Sequence, residues 1–292
     1  MKHRNAFIAA MITVSASSNV AAQEVPAAIF TDPVRDLAHP ARMEVLHVPS
    51  GGVEINALAY VAAGAGPHPV VLLCHGLPGN EKNLDLAQAI RRAGWTVITF
   101  NYRGSWGSPG SYRFANDLED ADAVLAYLRT PKTAAALGID PKRIAMMGHS
   151  LGGWVTALTA AHDPALLGAA MISPGNIGRF GQVPRAAVIA GFTANGVEAL
   201  ADTTPTAMAD EAIAHGDAWD FVKAGPRLAG TRLFVLTSDD GGTPEAERLI
   251  TAVKAAGGTR VSAVHVATDH GWSDRRIRLE SEIIRWLAGL GG

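Results

Sequence analysis

Cysteine is almost absent from this chain: Cys74 is the only one in 292 residues. No intramolecular disulfide can form, and no metal site can be built on thiolates. Cys74 closes the apolar run Pro69-Val70-Val71-Leu72-Leu73-Cys74, so it reads as a small buried hydrophobe. Charge is also sparse. There are 25 basic and 27 acidic residues, a net charge of −2, with none of the basic surplus that a nucleic-acid partner requires. No apolar run in the body of the chain is long enough to span a membrane. Internal repeats and low-complexity tracts are missing too.

Glycine is plentiful, at 31 residues, and 48% of the chain is hydrophobic, enough for one large core. The N-terminus reads as a cleavable signal peptide over residues 1–22. Lys2-His3-Arg4 is basic, Ala6 to Ala16 is short and mostly apolar, and Val20-Ala21-Ala22 precedes a cleavage point at Gln23. Losing Lys2 and Arg4 leaves 23 basic residues against 27 acidic, a balance of −4. The expected destination is outside the cell or in the periplasm, with residues 23–292 as one domain and no stable membrane association.

Past an irregular stretch to Pro40, Met43–Val48 and Val53–Tyr60 alternate like a hairpin around Ser50-Gly51-Gly52. Continuous apolar runs follow at Pro69–Cys74, Trp95–Phe100, Ile144–Met147, Gly168–Ser173, Thr231–Thr237 and Arg260–Val266. Such runs suit strands buried on both faces. Helical patterns fall between them, at Glu81–Arg92, Asp117–Arg129, Val155–Ala161, Pro244–Ala256 and Ser273–Leu287. The alternation predicts an α/β fold with a mostly parallel, doubly wound, eight-stranded sheet. Residues 174–230 break the rhythm with helical pieces and no buried strand. They read as a small helical cap insert that sets which groups enter the site, with Ile177, Phe180, Phe192, Trp219 and Phe221 as its apolar candidates and its acids scattered and mostly facing solvent.

The chemistry-bearing stretch is Gly148-His149-Ser150-Leu151-Gly152. A serine between two such glycines, after a strand and before a helix, is the pattern of a nucleophile elbow. The Leu151 N–H then lies at a helix N-terminus, where it can face a developing oxyanion. A serine nucleophile needs a base, and the base an orienting acid. Asp239 and Asp240 follow one strand, and His270 follows the last. Both loops lie at strand carboxyl ends, where open sheets place their sites. Asp117 and Asp120 read as helix N-terminal charges, Arg103 as a structural ion pair, and His75 and His149 as orienting or packing groups. Trp106, Trp154 and Trp272 are candidate walls of an acyl pocket, with core packing the equal alternative.

These motifs together resemble the α/β-hydrolases over about 40–290. The likeness is to esterases and serine peptidase domains, of dienelactone-hydrolase or prolyl-oligopeptidase type. It rests on His75-Gly76, Asn101-Tyr102-Arg103-Gly104, the Ser150 elbow and Asp269-His270-Gly271. The resemblance implies a catalytic triad of Ser150, Asp240 and His270. Asp240 is preferred over Asp239 because Pro244 follows it by four residues, although the loop lacks the family's usual glycine before the acid. The resemblance also implies a second oxyanion N–H from Leu77, an acyl-enzyme mechanism, and no cofactor or metal. The expected substrate is a small-molecule ester or short peptide, with esters favoured. About 40 residues ahead of the sheet are too few for the gating domain of the related peptidases. A catalytically inert binding protein of the same fold is the rival reading.

Overall fold

The computed structural model describes residues 24–291. The expected signal peptide, residues 1–22, lies outside the described residues. Eight strands form one sheet: β1 (Arg42–Ser50), β2 (Val53–Val61), β3 (His68–Cys74), β4 (Thr96–Phe100), β5 (Ile139–His149), β6 (Gly168–Ile172), β7 (Leu233–Thr237) and β8 (Val261–His265). Their order across the sheet is β1-β2-β4-β3-β5-β6-β7-β8. β2 is antiparallel to both neighbours, and every pairing from β4 to β8 is parallel. The strand order reverses at β3, with β4 laid on one side of it and β5 on the other. The carboxyl ends of β3, β5, β6, β7 and β8 all reach one edge.

Alternation along the strands divides the core. In β3, Val70, Leu72 and Cys74 face one side, and Val71 and Leu73 the other. β5 repeats this with Ile144 and Met146 against Ala145 and Met147, and β7 with Leu233 and Val235 against Phe234 and Leu236. Both faces need a helical cover, which explains the uninterrupted apolar runs. On one face lie α1 (Leu84–Arg92) and α10 (Arg276–Leu290), which bury Leu86, Ile90, Leu279 and Ile283. On the other lie α2 (Phe114–Leu128), α3 (Pro131–Leu137), α4 (Leu151–Ala160) and α9 (Thr243–Ala255). β8 is the exception among the parallel strands. As the sheet's outer edge it keeps Ser262, Ala263 and His265 exposed.

Two expectations about the helices need correction. The helix α3 was not foreseen, although Thr130 caps it by accepting the Thr133 N–H and Pro131 occupies its first turn. α2 begins at Phe114, three residues before the expected start, so Asp117 and Asp120 are not merely charges on a helix end. Both are fully buried. Asp120 accepts from the Ser50 hydroxyl, the Arg103 N–H at 2.7 Å and Arg103 Nε at 2.6 Å. Arg103 Nη2 reaches Glu119 at 2.6 Å, which makes Arg103 the structural ion pair expected of it. Asp117 accepts from the Tyr112 hydroxyl at 2.9 Å, and burial holds its carboxyl well above the usual range.

The insert between β6 and β7 contains α5 (Arg185–Ala194), α6 (Pro205–Ala214), α7 (Gly216–Trp219), α8 (Phe221–Ala224) and short 3-10 turns. Its scattered acids do not all face water. The Glu211 carboxylate on α6 accepts the N–H groups of Phe114 and Ala115, both at 3.1 Å, and so caps α2 from across the fold. Asp220 accepts from Asn176 Nδ2 at 2.8 Å and from the Val222 N–H at 2.9 Å. A backbone bond from Ala201 N–H to the Gly104 carbonyl, 2.7 Å long, ties the insert to the loop after β4. Phe192 and Trp219, expected to shape a substrate pocket, are buried against Phe114 and extend the core.

The Arg103–Asp120 pair tests this packing. Breaking a buried pair from one side leaves an uncompensated charge, so Arg103→Met should cost about 3–5 kcal/mol in urea unfolding. Adding Asp120→Asn should restore part of the loss. A loss below about 1 kcal/mol in Arg103→Met would contradict the pairing.

Candidate active site

Ser150 joins β5 to α4 with φ 56° and ψ −117°, a left-handed conformation rarely adopted by a residue with a side chain. Close approach enforces it. A Cβ on Gly148 would lie 2.2 Å from the Gly152 backbone, and one on Gly152 would lie 2.2 Å from the Cys74 carbonyl oxygen. Neither position admits a side chain. Ser150 is pinned further by its N–H, which donates to the Ile172 carbonyl at 2.9 Å. Its own carbonyl accepts from the Gly153 and Gly175 N–H groups, each at 3.0 Å. The side chain of Ser150 is left partly exposed at the carboxyl edge of the sheet.

The two candidate oxyanion donors lie on either side of it. Leu151 is the first residue of α4, and Leu77 belongs to the loop after β3. Among the described residues neither N–H has a hydrogen-bond acceptor. Gly76 brings the loop close: a Cβ there would lie 3.1 Å from Ser150 Cβ. Trp106 clamps the loop from outside, its indole N–H donating to the Pro78 carbonyl at 2.6 Å. Lys82 Nζ sits 5.0 Å over that ring and donates to Asn101 Oδ1 at 2.8 Å, while Asn101 Nδ2 donates to the Trp106 carbonyl. Trp106 keeps a face open to solvent, with 38% of the residue exposed.

Trp154 and Trp272 are not pocket walls, because both are fully buried. The Trp154 indole N–H donates to the Trp219 carbonyl at 2.7 Å, and its ring packs edge-on against Phe114 and Trp219. Trp272 donates to the Ser173 hydroxyl at 2.9 Å, and Ser173 and Ser238 hydroxyls are 2.8 Å apart. Each indole thus finds its one partner inside the core. For Trp272 the result is an anchor: it fixes the loop after β8 to the ends of β6 and β7.

That loop carries His270. Its Nδ1 lies 2.7 Å from Asp240 Oδ2, and since a carboxylate only accepts, Nδ1 carries the proton. Asp240 Oδ1 accepts the Gly242 N–H at 2.8 Å. Burial alone would raise the Asp240 pKa, but the bonds from His270 and Gly242 outweigh it and hold the carboxyl below its usual range. Asp239 faces away and lies 3.2 Å from His265 Nε2. The side chain of His270 is 48% exposed and that of Asp240 only 9%. Among the described residues no hydrogen bond engages the Ser150 hydroxyl.

Two further histidines border the site. His75 Nδ1 donates to the Gly76 carbonyl at 2.7 Å, and burial pushes its pKa down to about 4. His149 lies 2.7 Å through Nε2 from the His270 carbonyl, and burial and the His270 charge push it down to about 4 as well. Both are therefore neutral at any pH above about 5. Among the described residues no group of three or more His, Cys, Asp or Glu side chains could hold a metal ion. No helix among them is long and apolar enough to cross a membrane.

A strained serine at a strand–helix turn, with a histidine–carboxylate pair on neighbouring loops, is the signature of one fold family. Residues 71–283 match the alpha/beta hydrolase family, and the chain belongs to it. The Mycobacterium tuberculosis protein Rv2307c is 31% identical over 126 residues, 43% of this chain and 43% of its own. The match thus spans less than half of that relative. EstE1, a thermostable carboxylesterase cloned from a metagenomic library, superposes with a TM-score of 0.62 at 23% identity, over 86% of this chain and 89% of its own. A puromycin-hydrolysing peptidase of Mycobacterium tuberculosis superposes with a TM-score of 0.65 at 20% identity, over 89% of this chain and 41% of its own. At these identities the structural likeness is one of fold.

The buried histidines make stability depend on pH. Each has a folded pKa of about 4, against about 6.5 in an unfolded chain. Between those values the unfolded state binds more protons, so acid favours it and stability rises with pH. The buried carboxyls of Asp117 and Asp120, raised above their usual range, act in the opposite direction, so the test is a difference between variants. As pH drops from about 6.5 towards 4, wild type should lose more of its urea midpoint than His149→Gln, which takes up about one proton fewer on unfolding. The same pH dependence in both proteins would contradict the buried, neutral assignment of His149.

Proposed function

We propose that the protein is a serine hydrolase of carboxylic esters, acting through an acyl-enzyme with Ser150, His270 and Asp240 as its triad. The observation that carries this reading is the 2.7 Å contact of His270 Nδ1 with Asp240 Oδ2, on loops that open at the same sheet edge as the strained Ser150. With Nδ1 protonated, His270 Nε2 is the free lone pair. It takes the Ser150 proton as Oγ attacks the ester carbonyl carbon. Asp240 fixes this tautomer and stabilises the imidazolium that forms. The carbonyl oxygen, now an oxyanion, is bound by the N–H groups of Leu77 and Leu151. Collapse expels the alcohol, which leaves with the proton from His270. Water then attacks the acyl-enzyme by the same route and frees the acid and Ser150. Exposure of His270 gives that water a direct path. No step needs a metal or cofactor.

Both classes of solved neighbour suit the scheme, since EstE1 is an esterase and the mycobacterial protein a peptidase. Ester hydrolysis is favoured because Glu211 and Asp220 of the insert are occupied by backbone and amide donors, and Asp210 and Asp217 are paired with Arg185 and Lys223. An aminopeptidase needs free carboxylates focused on the substrate's ammonium group. Removal of the first 22 residues and passage out of the cytoplasm complete the proposal.

Three variants test the triad on one acyl ester. Ser150→Ala should lower kcat by several orders of magnitude, towards about 10⁶ as in the subtilisin series, with the fold unchanged by circular dichroism. Asp240→Asn should lower it by up to about 10⁴, through the wrong imidazole tautomer. Asp239→Asn should stay close to wild type. Near-normal turnover in Ser150→Ala would end the proposal, and a crippled Asp239→Asn would reassign the acid.

Substrate class is tested separately. Esters of about two to six acyl carbons should exceed amino-acid and dipeptide amides in kcat/KM, each corrected for its uncatalysed rate. Greater corrected acceleration on free-N-terminal amides would promote the peptidase reading instead.

A further inference from the structure

His149 occupies the variable position before the nucleophile, where packing alone would accept many residues. The structure gives it more specific surroundings. It is only 6% exposed and is the last residue of β5, paired in register with Ile172 on β6. Its Nε2 lies 2.7 Å from the His270 carbonyl oxygen. That oxygen can only accept, so Nε2 carries the proton. A neutral imidazole has one N–H, and this bond uses it. Nδ1 is then a bare lone pair on the side of Gly76, where an added Cβ would lie 3.5 Å from it. The His149 and His270 rings are in tilted contact, with centroids 4.6 Å apart and planes at 48°. One imidazole thus touches the elbow by covalent bond, the His270 loop by hydrogen bond, and the oxyanion loop by contact.

We propose that His149 is a positioning residue, whose neutral Nε2–H holds the backbone of His270 at a fixed distance from Ser150. The inference rests on the serine-hydrolase reading above. The physical argument is one of tethering. His270 sits on a largely exposed loop beyond an exposed edge strand. Trp272 anchors that loop on its far side, and His149, the residue next to the nucleophile, bonds it directly. An error of about 1 Å between nucleophile and base can cost about 10²-fold in rate.

Neutrality is part of the device. A protonated His149 would place a second cation against the imidazolium that His270 becomes in each half-reaction. The charged groups facing it are Asp240 after β7, which favours a charge, and Arg276 on α10, which opposes one, besides His270 itself. Burial adds the largest penalty and keeps the ring uncharged at neutral pH.

The test separates a hydrogen-bond tether from simple packing. In His149→Gln the side-chain amide places an N–H near the position of Nε2, whereas His149→Leu fills similar space with no donor. With 4-nitrophenyl butyrate as substrate, His149→Leu should lose about 10- to 100-fold in kcat with KM changed less than about twofold. His149→Gln should stay within about fivefold of wild type. A packing role would treat the two alike or favour leucine. Equal losses, or wild-type kcat in His149→Leu, would overturn the inference while Ser150→Ala remained inactive. Turnover surviving in Ser150→Ala would instead overturn the serine-hydrolase reading. A further readout needs no leucine variant. In the 15N-histidine-labelled wild-type chain, NMR should show His149 as the neutral Nε2–H tautomer from pH 8 to about 5.5. An Nδ1–H tautomer, or titration within that range, would also overturn the inference.

Discussion

The structure turns on one close approach. Where β5 passes into α4, Gly148 and Gly152 come together, and Gly152 meets the Cys74 carbonyl at the end of β3, with no room for a single methyl group. This contact fixes the turn so tightly that Ser150 must take φ 56°. A strained residue of this kind costs about 1–3 kcal/mol, and it persists only where the surroundings determine it. Here they do. β5 lies between β3 and β6, buried on both faces, and Ser150 is bonded through its own N–H and carbonyl to the segment around β6. The cost is carried by the core, and the result is a hydroxyl that points out of the sheet at a helix N-terminus.

Everything else in the site consists of loops that must be brought to that hydroxyl and held. Each is held by a polar side chain aimed at a backbone carbonyl or a buried hydroxyl. Trp106 holds the loop after β3 through Pro78, Trp272 holds the His270 loop through Ser173, and His149 spans from the elbow to His270. The same economy appears farther out, where Glu211 caps α2 from the insert and Arg103 ties the loop after β4 to Asp120. Aromatic N–H groups suit this use because they have one donor each and a rigid body that fills the surrounding space.

Much of this was legible in the sequence. The apolar runs marked the central strands because a parallel sheet covered on both faces leaves no polar alternation. The glycines around Ser150 and the order of serine, acid and histidine marked the site, because close backbone approach leaves few residue choices. The acid loop was open between Asp239 and Asp240 until a family spacing was applied, and the structure places Asp240 against His270. What the sequence concealed was direction. Trp154 and Trp272 carry the same side chain as Trp106, and nothing local tells a core indole from one at a rim. Asp117 and Asp120 looked like helix-end charges because their partners, Tyr112 and Arg103, are revealed only by the fold. The aromatic residues of the insert looked like a pocket lining for the same reason. Apolar patterning reports burial, and does not say whether it is burial against substrate or against neighbouring helices.

The central claim is that the constrained elbow presents a serine able to take an acyl group. The most direct measurement is covalent: exposure of the purified protein to a fluorophosphonate, followed by proteolysis and mass mapping of the adduct. The account expects one phosphonylated residue, Ser150, modified stoichiometrically in the folded protein and not after denaturation. No adduct on the folded chain, or an adduct on any other residue, would contradict it.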